Sequence, residues 1–203
     1  MNNEHLYGLV LAGGKSSRMG KEKAAIKYHG KPQIEVAADT LGLFCSKVFI
    51  STRRDQAHND LYRKFHQIHD EPSCEGQGPL AGIISAMHAH PMSAWVVLAC
   101  DLPFVNETDI RFLLEHRDST KVATAFKSPV DGLPEPLCAV WEPEYNIDIQ
   151  SFMNKGGICP RKFLIQAEAL LIDPPHPKAM ENINNPEEFK VAMKEISENP
   201  SDS

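Results

Sequence analysis

Two adjacent glycines, Gly13 and Gly14, close an apolar run and open a cationic one holding Lys15, Arg18, Lys21 and Lys23 within nine residues. Paired glycines let the backbone turn sharply and come close to a ligand. The N–H groups of such a loop can point at phosphate oxygens, and the cations suit the several negative charges of a polyphosphate. Two common phosphate motifs fail here. A P-loop needs four residues between its glycines and then Lys-Ser or Lys-Thr, whereas Gly14 and Gly20 enclose five and Lys21 precedes Glu22. The dinucleotide fingerprint G-x-G-x-x-G is absent from LAGGKSSRMG. On the glycine pair alone, a plain turn with a solvated basic rim is an equal reading. The long run from Leu11 to Lys23 favours triphosphate binding.

Carboxylates supply the second kind of chemistry. Asp101 follows the apolar stretch WVVLAC and precedes Leu102-Pro103. A carboxylate at the end of a buried strand suits Mg²⁺, which takes one or two carboxylates plus substrate phosphates. On position alone, Asp101 could equally cap the turn before the next helix. Asp70 ends the segment QIHD, and Gly78-Pro79-Leu80-Ala81-Gly82 then opens a helix. Gly82 leaves room for a flat ring beside the helix start, although proline at a helix N-terminus is also ordinary turn chemistry. Asn182 and Asn184 offer amide oxygens to a metal or to a second substrate. A capping role before the last helix is open for this segment too, and Asn185 before Pro186 fits it well. The histidines show no ligand spacing, and Cys100 reads as a buried core thiol.

These residues need a scaffold. Short apolar runs alternate with amphipathic stretches, as in α/β folds. Strands are expected at Leu6–Leu11, Lys47–Thr52, His66–His69, Trp95–Cys100, Lys121–Phe126, Leu137–Trp141 and Ala169–Ile172. Helices are expected at Pro32–Phe44, Arg54–Phe65, Pro79–His90, Glu107–His116 and Pro186–Ile196. This order predicts a three-layer fold, a mostly parallel twisted sheet with helices on both faces, and a site at the carboxyl ends of the strands. A single domain over residues 1–196 is expected, with a frayed polar tail at 197–203. The 203 residues carry 42% hydrophobic and 24% charged side chains and a formal net charge of -6, which argues against a nucleic-acid partner. No apolar run reaches the ~18 residues of a membrane span. The first residues lack the basic start of a signal peptide. Five scattered cysteines without a C-x-x-C suggest neither a disulfide framework nor a zinc site. A cytoplasmic protein, monomeric or weakly homo-oligomeric, is expected.

The run Leu11–Lys23 resembles the signature loop of the nucleotidyltransferases related to molybdenum cofactor guanylyltransferase, LAGG-x-S-x-R-M-G-x-D-K. Glu22 stands where that pattern has Asp. The segment C-D-L-P-F around Asp101 resembles the family's metal-binding C-D-x-P-[FY], and Asn182–Glu188 resembles its N-[VI]-N-T-P-E-E. Asp131–Leu137 resembles a loop that faces the family's second substrate. The resemblance implies a Rossmann-like nucleotidyltransferase fold. It implies that Leu11, Ala12, Gly13, Gly14, Lys23, Ser51, Asp70, Gly82 and Asp101 bind the nucleotide, that Asp101 holds Mg²⁺, and that Arg18, Lys23 and Asp101 are catalytic. LAGG with GPLAG resembles the guanylyl branch, whose substrates are GTP and molybdopterin. A sister enzyme using another nucleotide or a sugar or polyol phosphate, and a non-catalytic nucleotide-binding regulator, are the competing readings.

Overall fold

The protein is described here from a computed structural model covering residues 5–12 and 23–198, without the side chain of Lys23. Its centre is a seven-stranded sheet in the order β3-β2-β1-β4-β6-β5-β7. The strands are β1 (Leu6–Leu11), β2 (Lys47–Thr52), β3 (His66–His69), β4 (Ala94–Ala99), β5 (Ala123–Lys127), β6 (Pro134–Trp141) and β7 (Leu170–Ile172). Every strand pairing is parallel except those of β6, which runs against both β4 and β5. The expected mostly parallel sheet is therefore observed.

Two apolar faces explain why β1 and β4 read as continuous hydrophobic runs. Val10, Val96, Leu98 and Cys100 pack on one face against Ile34, Leu41, Ile110 and Leu113. These come from α1 (Gln33–Gly42) and α3 (Glu107–Glu115). Leu9, Leu11, Trp95 and Val97 pack on the other face against Leu80, Ile83, Ile149 and Phe163. These come from α2 (Pro79–Ala89), α4 (Asn146–Asn154) and α5 (Pro160–Gln166). Successive strand residues point to opposite faces, so a strand covered on both sides must be apolar throughout. The last helix, α6 (Pro186–Glu198), packs through Ala192 on a third cluster with Ile26, Tyr28 and Ile183. It runs two residues past the expected end.

Three expectations need correction. Arg54–Phe65 is not a helix: a 3-10 turn spans Arg54–Gln56, and bends and turns follow. Side chains there capture the backbone that a helix would use. Asn59 Oδ1 accepts from Leu61 N–H at 2.9 Å, and Gln67 Nε2 donates to the carbonyls of Ala57 and Tyr62, a competition in which Asn is strong. The stretch between β6 and β7 forms α4 and α5, neither of which was expected; Pro160 at the first turn of α5 is the start signal that marks it. Finally, the Asp131–Leu137 segment is a loop only as far as Leu133. From Pro134 it is strand, with proline at the strand's first residue, where a missing donor is tolerated.

Candidate active site

From β1 the chain winds outward to β2 and β3, then crosses back to place β4 on the other side of β1. The winding thus reverses between β1 and β4, and the carboxyl ends of strands at such a point form a ligand crevice. Ordered along this edge are Asp70 just past β3, Ser51 in β2, Leu11 at the end of β1, and Asp101 just past β4. The fold therefore brings four of the sequence-derived candidates to one edge.

At the centre of that edge the ladder continues one step beyond the strands. Ala12 N–H donates to Ser51 O at 3.3 Å, and Cys100 N–H donates to Leu11 O at 3.2 Å. The Ala12 N–H is spent inside the sheet, on β2. Leu11 and Ala12 are themselves buried. Gly13, Gly14, Lys15, Arg18 and Lys21 lie outside the described residues. Lys23 begins a 3-10 turn, Lys23–Ala25, anchored by the buried Ala24.

On the β3 side, Asp70 is half-buried. Burial pushes its carboxyl above the ordinary value of 3.8, reinforced by Glu75, while a hydrogen bond from Gly76 N–H and the charge of Arg53 pull it back. The following loop is pinned to α2, because Glu71 N–H donates to Ser85 Oγ at 2.9 Å. Gly78 then starts α2 at φ +76, a left-handed conformation that favours glycine. Gly82 has a different reason to be glycine. A Cβ there would overlap Ser51 Oγ and lie 3.2 Å from Leu11 Cδ2. The Cβ direction of Gly82 is filled by Ser51, itself buried. Gly82 and Ser51 therefore shape the crevice floor by packing on each other.

On the β4 side, Asp101 is half-buried. Its main-chain carbonyl accepts from Ile183 N–H at 2.9 Å, so Asn182 and Asn184 flank the residue that touches Asp101. The capping alternative is resolved by geometry. Asn185 Oδ1 accepts from Glu188 N–H at 2.9 Å, and Glu188 Oε2 accepts from Asn184 N–H at 2.6 Å. Asn185 is the side-chain cap of α6, and that role does not fall to Asn182 or Asn184. Tyr28 is buried in the same region, and its phenol is pushed up to about 12 by burial first, then by Asp101 and Glu188.

The two candidate carboxylates cannot share an ion. Asp70 and Asp101 are separated by three strand-to-strand steps, β3 to β2 to β1 to β4, roughly 14 Å at ~4.8 Å each. A metal bound by one carboxylate and by substrate phosphates is what Asp101 fits. Its own carboxylate is the hard oxygen donor that Mg²⁺ prefers, and the neighbouring Cys100 thiol is buried in the core. Among the described residues no group of three or more His, Cys, Asp or Glu side chains forms a metal cage.

Because β6 runs antiparallel to β4, it begins at the edge where β4 ends. The 128–133 loop therefore borders the crevice beyond Asp101. Its conformation is fixed by Ser128 N–H to Leu133 O at 2.8 Å and by Arg161, which donates to Asp131 Oδ2 at 3.0 Å and Glu135 Oε1 at 2.5 Å. Arg161, Tyr28, His29 and Arg53 escaped the sequence reading. Only Arg53 carried a local signal, as a cation directly after a strand end.

Residues 8–169 match the MobA-like NTP transferase domain. The chain is 37% identical over 187 residues to a "Molybdenum cofactor biosynthesis bifunctional protein" of Synechocystis sp., covering 91% of this chain and 52% of that one. It thus spans about half the length of that relative. It is 30% identical over 207 residues to a "Probable molybdenum cofactor guanylyltransferase" of Nostoc sp., covering 99% of this chain and 97% of the other. Among solved structures, molybdopterin-guanine dinucleotide biosynthesis protein A from Archaeoglobus fulgidus superposes with a TM-score of 0.78 at 24% identity, covering 95% of this chain and 99% of that one. That likeness establishes the fold. With the open, mostly parallel sheet and the domain match over residues 8–169, the chain belongs to the MobA-like NTP transferase family.

Proposed function

We propose that this chain is a molybdenum cofactor guanylyltransferase, which transfers GMP from GTP to molybdopterin and releases pyrophosphate. The observation that carries the reading is the ordered edge Asp70–Ser51–Leu11–Asp101, with Leu11 and Ala12 at its centre. Asp70 and Asp101 stand too far apart for an ion and at a separation that an extended substrate can bridge. The names carried by the relatives supply the guanylyl and molybdopterin parts of the reading.

In this reaction an oxygen of the acceptor's terminal phosphate attacks the α-phosphorus of GTP. One P–O bond forms, the bond to the β-phosphate oxygen breaks, and pyrophosphate leaves with that electron pair. Positioning and charge neutralisation carry most of the catalysis in phosphoryl transfer. Gly13 and Gly14 hold the phosphates through their amides. Arg18 and Lys23 balance charge on the triphosphate and the leaving group. Asp101 would hold Mg²⁺, and Asn182 and Asn184, which flank the Ile183 contact to Asp101, would be further contacts to metal or acceptor. Mg²⁺ held there would supply Lewis-acid stabilisation of charge on the phosphates. Asp70 orients the nucleoside half, and Ser51 and Gly82 form the floor beneath it. The acceptor phosphate is already ionised near neutral pH, so no general base is assigned. The enzyme works in the cytoplasm as a monomer or weak homo-oligomer, without nucleic-acid or membrane partners.

The test is a panel of nucleotides scored by melting temperature, with and without Mg²⁺, followed by pyrophosphate release from GTP, Mg²⁺ and molybdopterin. Stabilisation by Mg·GTP and release of pyrophosphate are expected. Stabilisation by Mg·CTP or Mg·ATP but not Mg·GTP would overturn the guanylyl assignment, and tight GTP binding without release would indicate a regulator.

A further inference from the structure

Two successive turns, Ala99–Leu102 with Asp101 inside it and Leu102–Val105 after it, are held more tightly from outside than from within. Their own backbone bonds are long: Leu102 N–H to Ala99 O at 3.3 Å and Val105 N–H to Leu102 O at 3.4 Å. Two shorter bonds come from distant parts of the chain. Ile183 N–H reaches Asp101 O at 2.9 Å, and His29 Nε2 lies 3.0 Å from Pro103 O. A carbonyl can only accept, so the imidazole donates its Nε2–H.

His29 sits in a short reversal, with Gly30 at φ +80 and an isolated bridge between Lys27 and Pro32. Its neighbour Tyr28 packs edge-on against Phe189 of α6, ring centroids 5.4 Å apart. The reversal and the C-terminal segment thus meet each other, and each holds one of the two turns, the C-terminal segment at Asp101 and the reversal at Pro103. The C-terminal part of this arrangement lies beyond residue 169, where the family match ends.

We propose that His29 is a positioning residue for the Asp101 carboxylate: by holding the Pro103 carbonyl it fixes the second turn, which abuts at Leu102 the turn that bears the metal-binding side chain. This rests on the reading of Asp101 as the Mg²⁺ ligand. Partners behind a metal ligand set its orientation, and losing one typically costs ten- to a hundredfold in metal affinity.

The test measures how much Mg²⁺ tightens GTP binding, by calorimetric titration with saturating Mg²⁺ and with chelator. For the wild type this ratio is the reference, and for Asp101→Asn it should collapse to one. His29→Leu should lower the ratio about tenfold while leaving GTP affinity in chelator unchanged. His29→Gln, whose side-chain amide can donate to the same carbonyl, should restore most of it. A purely structural His29 would lower the melting temperature of His29→Leu without changing the ratio, and that result overturns the proposal. So does a His29→Gln variant as impaired as His29→Leu. If Asp101→Asn keeps the wild-type ratio, the metal assignment fails and the role of His29 falls with it. If Asp101→Asn loses the ratio while His29→Leu keeps it, only the role of His29 fails.

Discussion

The backbone N–H of Ile183 meets the backbone carbonyl of Asp101 at 2.9 Å, joining the C-terminal segment to the end of the central strand. This contact gives the three asparagines of Asn182–Asn185 separable duties. Asn185→Ala removes the cap of α6 and should cost about 1 kcal/mol of stability, with activity retained. Asn182→Ala and Asn184→Ala should do the reverse, lowering turnover with little change in chemical denaturation. Equal loss of stability in all three would return the whole segment to a capping role.

Asp101→Ala should abolish measurable turnover or reduce it by roughly 10²–10³, the usual cost of one transition-state charge contact. Steady-state rates with GTP, Mg²⁺ and molybdopterin are the readout. Near-normal activity would remove Asp101 from the mechanism.

Gly82→Ala drives a Cβ into Ser51 Oγ. Overpacking of this kind costs about 1–3 kcal/mol. Removing the hydroxyl with Ser51→Ala should recover part of that loss, so the two substitutions should be non-additive in urea denaturation. Strict additivity would mean that the contact is relaxed elsewhere.

Asp70 gives a pH signature. Burial holds its folded-state value above the ordinary 3.8, so its charge disfavours the folded state. The wild type carries no such cost below about pH 3.8, where the carboxyl is protonated whether folded or not, and loses stability as pH rises through the folded-state value. Asp70→Asn should therefore be more stable than wild type at neutral pH, with the difference closing in acid. The same substitution should weaken GTP binding about tenfold through loss of a charged hydrogen-bond acceptor. A variant less stable than wild type at pH 7 would contradict the sign.

Local chemistry made half of the site readable in advance. WVVLAC is buried on both faces because β4 lies at the middle of the sheet, and a strand so marked announces Asp101 at its end. Gly78 and Pro79 likewise mark the start of α2. What stayed hidden depends on partners far along the chain. His29 acts on a carbonyl 74 residues away, and no spacing rule connects them. Ala12 sits inside a motif yet spends its amide on β2, which only strand order reveals. The Arg54–Phe65 stretch misled because local amide side chains, not periodicity, decide its backbone.

The reversed direction of β6 makes the two halves of the edge separable. It divides the working edge into a half built from sequential βαβ units and a half reached by a hairpin turn. Insertions or substitutions between Ser128 and Leu133 can reshape what is received beyond Asp101 without threading through the units that carry the glycine loop. Such a layout leaves the hairpin half open to change without disturbing the sequential βαβ half.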